Sequence, residues 1–188
     1  MMLPMNESAA FRQASDGFVE RAQQINGEHW LAATPCVEWN VRTLVNHIAG
    51  EYLWVPVMLA GKTVADVGER LDGDLLGNEP VQTLMNAQRA ALAAVEADNA
   101  LDMTVHLSFG DVPAADYVMQ MIIDSTIHSW DLARAIGADE VLDPELVELV
   151  YVELQKSAED WRSGGAFGPK RDAVDDSTQA RLIALTGR

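Results

Sequence analysis

The segment IIDSTIHSWDLARA, residues 122–135, is largely apolar, yet it carries Asp124 and His128 four residues apart. Four residues is one helical turn, so on a helix both side chains leave the same face with Cβ atoms roughly 6 Å apart, within reach of one ion. The apolar neighbours turn that face toward a core, where a carboxylate needs a positive or hydrogen-donating partner. Two arrangements supply one. Either Asp124 accepts a hydrogen bond from His128 or a facing side chain, or both residues ligate a cation with a third donor from another helix. His47 is the candidate third donor, because the chain has four histidines and two of them, His47 and His128, fall in amphipathic segments able to face a common cavity.

Glu51 lies one turn beyond His47, and Asp131 about one turn beyond His128. Each could accept the remaining ring N–H of its histidine, and Glu51 could add a fourth ligand; otherwise each is a solvated carboxylate at a helix edge. Arg134 reads first as a surface salt-bridge former and second as a partner for a substrate carboxylate. Cys36 follows Pro35 just before a helix start, where a helix dipole lowers a thiol pKa, but a lone cysteine among apolar residues reads as a small packed side chain and not as a nucleophile. His29, beside Trp30, and His106, in a loop, read as structural or surface residues. Trp39, Trp54, Trp130 and Trp161 read as packing anchors, with Trp54 in the row of His47 as a wall for a cavity there.

Helices must position these groups. Phe11, Ala14, Phe18, Ala22 and Ile25 recur at three- and four-residue steps and predict a first helix over about 8–26, closed by Asn26-Gly27. Asn40 is a good N-cap for a second, with Val41, Leu44, Val45, Ile48, Tyr52, Val55 and Leu59 as its apolar stripe and Gly61 as its end. The Gly- and Asp-rich stretch 61–80 reads as a crossover with at most a short helical turn. Asn78 is expected to cap a third helix over about 79–98, MTVHLSFGDVP to form an extended loop, and a fourth helix to run over about 113–137 and stop at Gly137. Asp143-Pro144 opens a further helix that ends near Gly164-Gly165, and a short one covers about 177–185. With no strand pair expected, the fold class is all-α: a four-helix bundle with a long crossover and an additional C-terminal helix, read as a single domain over 1–188.

Composition narrows the function. Thirteen basic residues face 29 acidic ones for a formal net charge of −16, a surface that repels phosphate backbones and anionic headgroups and so argues against nucleic-acid or membrane binding. One cysteine permits no internal disulfide, and the opening MMLPMNESAAFRQ lacks the layout of a secretion signal, so a cytoplasmic location is expected. EYLWVPVMLAG, 51–61, is too short to span a bilayer. An apolar face on the first or fifth helix offers a surface for a homodimer.

TPCVEWNVRTLVNHIAG (34–50) together with DSTIHSWDLARAIG (124–137) resembles the metal-binding domain of mycothiol-dependent maleylpyruvate isomerase, in an uncharacterised actinobacterial branch of a wider DinB-like group of four-helix metal-binding bundles. The likeness extends into the tail, FGPKRDAVDD and RLIALTGR. The resemblance implies that His47, Asp124 and His128 ligate one divalent metal, taken as zinc, with nickel, iron or manganese compatible with the mixed nitrogen and oxygen donors. It also implies mycothiol as cosubstrate, its thiol activated on the metal and directed at a small electrophile in an S-transfer or isomerisation. Asp124 departs from the pattern, which has Glu there, so its shorter carboxylate must approach more closely or act through water. The isomerase carries a second, C-terminal domain for which this length leaves no room, and maleylpyruvate itself is therefore not carried over. Two classes stand: a metal-dependent, thiol-using transferase or isomerase acting on a small molecule, and a non-catalytic metal- or ligand-binding bundle. A metal-free helical interaction domain is a third.

Overall fold

The computed structural model describes residues 5–188, so the first four residues of the opening segment lie outside the described part. The chain forms two compact units divided after Asp139. The first contains α1 (Glu7–Ala22), α2 (Val41–Leu59), a short α3 (Val64–Val67), α4 (Pro80–Val95), β1 (Thr104–Leu107), β2 (Gly110–Pro113) and α5 (Ala114–Ile136). The second contains α6 (Pro144–Ser163) and α7 (Thr178–Leu185).

Helix ends follow local chemistry. The Asn6 side chain accepts from Ala9 N at 2.8 Å and opens α1, and Asn40 accepts from Thr43 N at 2.9 Å and opens α2, as its sequence position predicts. The first helix stops at Ala22, leaving Ile25 beyond its last turn. Asn78 does not cap α4; Glu79 occupies that position and Pro80 starts the helix, where its missing N–H is no loss. Gly137 ends α5 in the left-handed conformation at φ 70°.

In the first unit α1 packs on α4 and α5, and α2 packs on the same two helices. The four form a ring in the order α1, α4, α2, α5, so α1 and α2 stand diagonally and the long connection through α3 carries the chain across to α4. Phe11, Phe18, Leu44, Ile48, Leu84, Ile122 and Leu132 fill the interior. Phe11 meets Tyr52 edge-on with ring centroids 5.9 Å apart, and the Tyr52 hydroxyl lies 3.0 Å from Ser125 Oγ, which ties α2 to α5 beside the candidate site.

A further expectation is corrected. Residues 103–113 are not a loop; β1 and β2 form an antiparallel hairpin with Val105 opposite Val112 and His106 opposite Asp111. The two strands are only four residues each, with Ser108-Phe109 between them, too short for an alternation of apolar and polar residues to stand out.

In the second unit Asp143 caps α6, accepting from Glu145 N and Leu146 N. α6 packs on α7, Trp161 stacks on Phe167 at 5.2 Å, and Gly187 at φ 82° lies so close to Gly168 that a Cβ there would stand 2.6 Å from the Gly168 carbonyl carbon. Among the described residues no helix is long and apolar enough to cross a membrane.

Candidate metal centre

Two neighbouring helices of the ring, α2 and α5, bring His47, Asp124 and His128 together. His47 follows Asn40 by seven residues, two turns into α2, and Asp124 and His128 sit mid-way along α5. Asp124 Oδ2 is 2.8 Å from His47 Nε2, and Asp124 Oδ1 is 3.3 Å from His128 Nε2. One carboxylate therefore faces two imidazoles through the ring atoms that could serve as ligands. One donor atom from each of the three residues falls within a cluster no wider than 4.8 Å. Donors about 2.0–2.2 Å from one tetrahedral ion are about 3.3–3.6 Å apart, so these separations match a metal-ligand set after a small opening of the His47–Asp124 edge. Asp124 reaches both histidines directly despite the short side chain.

His128 is nearly buried, and its second ring nitrogen is also engaged: Nδ1 lies 2.8 Å from Asp131 Oδ2, and Asp131 is fully buried. Asp131 is thus not a solvated edge carboxylate. It holds the ring so that Nε2 points toward Asp124 and His47, the orientation in which an imidazole offers its free lone pair to a cation. Glu51 is placed differently. Its Oε1 is 4.0 Å from His47 Nδ1, too far for a hydrogen bond, and its side chain is half-buried at the border of the site.

The charges respond to this packing. Burial opposes the ionised form of Asp124, yet the two histidines hold its carboxyl well below the usual carboxylate range. Burial likewise opposes the charge on His128, but Asp124, Asp131 and Cys36 raise it well above its ordinary value. Burial, and then repulsion from Asp124, push the Glu51 carboxyl up to about 7 against the opposing pull of His47 and His128. Tyr117, two turns before Asp124 on α5, is raised first by burial and then by Glu51, and its hydroxyl is buried with no hydrogen-bond partner among the described residues.

The loop before α2 supplies the wall. Thr34 N donates to Trp39 O, Thr34 Oγ1 donates to the same carbonyl at 3.0 Å, and Cys36 N donates to Thr34 Oγ1 at 3.1 Å. This turn, with Glu38 at φ 71°, lays the Trp39 indole 4.9 Å from the His47 ring and 5.7 Å from the His128 ring. The indole over the histidines is that of Trp39 rather than Trp54, the residue singled out by its row on α2. The same turn brings Cys36 Sγ to 3.3 Å from Asp131 Oδ2 and 3.7 Å from His128 Nδ1. Sequence reading treats Cys36 as simple packing because its neighbours lie 92 and 95 positions away. His106 pairs across the hairpin with Asp111 at 2.7 Å on the surface, away from this cluster. The Arg134 guanidinium lies over Trp130, 4.9 Å from the ring centroid.

Comparison with known proteins places these residues in a wider group. Residues 11–133 match the profile of the mycothiol maleylpyruvate isomerase N-terminal domain, a span that includes every residue of the cluster. Uncharacterized proteins from two strains of Mycobacterium tuberculosis are each 30% identical over 149 residues, covering 76% of this chain and 74% of theirs. Among solved structures, a histidine-to-alanine mutant of mycothiol-dependent maleylpyruvate isomerase superposes with a TM-score of 0.56 at 16% identity, and another structure of that isomerase with 0.52 at 15%. In both cases 87% of this chain and 72% of the other are covered, which establishes a shared helical, DinB-like fold.

Proposed function

From the premise that the chain belongs to the mycothiol maleylpyruvate isomerase N-terminal domain family, we propose that His47, Asp124 and His128 hold one divalent metal and that the protein uses it to act on a small electrophile with a low-molecular-weight thiol. The observation that carries this reading is the convergence of two imidazole nitrogens and one carboxylate oxygen from α2 and α5. Zinc suits that donor set best, with nickel, iron and manganese as alternatives. When bound with three protein ligands, such an ion keeps an open position and lowers the pKa of a thiol that enters it, mycothiol being the thiol the family points to.

The chain's own residues have definable tasks. Asp131 accepts the Nδ1 proton of His128 and fixes the ring, so that metal loading displaces a proton from Nε2 and not from Nδ1. Trp39 covers both imidazoles and limits water on one side. Glu51, with its carboxyl near neutrality, is suited to hold or give up a proton at the border of the site. The transfer or isomerisation itself, the cytoplasmic setting, one domain across 1–188 and a homodimer belong to this same reading.

Metal content per chain, measured by inductively coupled plasma mass spectrometry on wild type, His47→Ala and His128→Ala, tests it. Near-stoichiometric metal lost from both folded variants supports the shared centre and justifies thiol-transfer assays with mycothiol. Wild-type protein that takes up no metal after zinc or nickel loading would leave Asp124 as a hydrogen-bond acceptor for two histidines and remove the basis of the proposal. Metal retained with no turnover and no exchangeable ligand position would favour the non-catalytic bundle.

A further inference from the structure

The His128 imidazole has two occupied edges. Its Nε2 edge faces Asp124 and His47, and its Nδ1 edge faces Cys36 and Asp131, which form a second group of potential ligands whose donor atoms lie within 4.8 Å of one another. On that second edge Cys36 Sγ is 3.7 Å from His128 Nδ1 and 3.3 Å from Asp131 Oδ2, while Asp131 Oδ2 is 2.8 Å from Nδ1. A sulfur at about 2.3 Å and a nitrogen or oxygen at about 2.0–2.2 Å from a tetrahedral ion stand about 3.5–3.7 Å apart. The Cys36–His128 edge already has that length, and the two edges to Asp131 must open, the His128–Asp131 edge the more. Asp131 is fully buried and His128 nearly so, whereas Cys36, on the loop before α2, is half-buried.

We propose that Cys36, His128 Nδ1 and Asp131 form a second cation site, selective for thiophilic ions such as cadmium and distinct from the His47, Asp124 and His128 Nε2 set. The thiolate supplies the selectivity, since soft sulfur favours such ions over magnesium, calcium or manganese. The site stands whether or not the first set is occupied, but ligation at Nδ1 displaces the proton that Asp131 accepts there. Through the shared ring, each ion therefore weakens the binding of the other, reciprocally.

The test is a cadmium titration of the metal-free full chain kept reduced by a phosphine, read as thiolate-to-cadmium charge-transfer absorption in the near ultraviolet. Wild type and His47→Ala should both develop the band, His47→Ala at about one ion per chain. Cys36→Ser, with an unchanged circular dichroism spectrum, should lack it, and Asp131→Asn should need roughly tenfold more cadmium or beyond. No band in wild type, an undiminished response in Asp131→Asn, or loss of the band in His47→Ala would overturn the proposal. Zinc content of Cys36→Ser and of its double variant with His47→Ala separates the two readings: zinc kept by the double variant as fully as by Cys36→Ser would sink the first site, whatever the cadmium band shows.

Discussion

His47 Nε2 and Asp124 Oδ2 meet at 2.8 Å although 77 positions separate them in the chain. That contact joins α2 to α5, and through the other oxygen of Asp124 it extends to His128 at 3.3 Å. Without a cation the carboxylate balances two imidazoles; with one, all three present lone pairs to it.

Asp131 acts on this centre through His128. Asp131→Asn keeps the side-chain volume but replaces the charged acceptor of the Nδ1 proton, so zinc affinity should fall about 10- to 100-fold with the fold retained. Competition against a chelator of known affinity measures the change. Equal affinity in wild type and variant would show that the ring needs no such orientation.

The metal-free protein should have a stability maximum in mildly acidic solution. Asp124 is depressed in the folded state, so its contribution is present above the ordinary carboxylate pKa of about 3.9 and is lost as pH falls below it. His128 is raised, so its contribution is full below about 6.5 and is lost as pH rises through its elevated folded value. Urea midpoints across a pH series check both limbs. Stability that climbs steadily from about pH 6 to about pH 9 would mean that His128 is neutral in the folded protein.

Loading with zinc should alter the alkaline limb. Binding replaces protons on the histidines, so the stabilisation conferred by metal grows as pH rises toward neutrality and above. The difference in melting temperature between loaded and metal-free protein should therefore widen from about pH 5 to about pH 8. A pH-independent difference would point to ions held by groups other than histidine.

Tyr117→Phe should stabilise the protein, by about 1 kcal/mol, because it removes a buried hydroxyl with no partner among the described residues. The urea midpoint should rise at constant slope. A fall of similar size would reveal that the hydroxyl is bonded in solution, with Glu51, the neighbour that acts on it electrostatically, as the first acceptor to examine.

Phe11→Ala should cost about 3–5 kcal/mol, since Phe11 is fully buried and packs edge-on against Tyr52. Because the Tyr52 hydroxyl reaches Ser125, next to Asp124, the same change should loosen the α2–α5 pairing at the site. Amide exchange along α5 in the folded variant tests the second point separately from the first.

Periodicity and caps determined most of the helices of this protein. The apolar stripes of α1, α2 and α5 and the caps at Asn40, Asp143 and Gly137 act within a turn or two of chain, so their outcome is written locally. The same is true of the Asp124 and His128 spacing, and the choice of His47 followed from the scarcity of histidine together with the family motif. Asn78 misled because Pro80, two residues later, sets the helix start one position further on than expected. The hairpin at 104–113 escaped because its partners are recognised only once paired.

What tertiary structure alone decided is the surroundings of the three residues. Asp131 becomes fully buried because α5 is covered on that side as well as on its main apolar face, which a stripe count for one helix cannot reveal. Trp39 and Cys36 reach His128 because the Thr34 turn folds the loop back onto α5, a contact that depends on two segments about ninety positions apart docking side by side. Sequence-local forces thus choose which residues share a helix face, while long-range packing chooses which faces meet, and the chemistry of this centre depends on both.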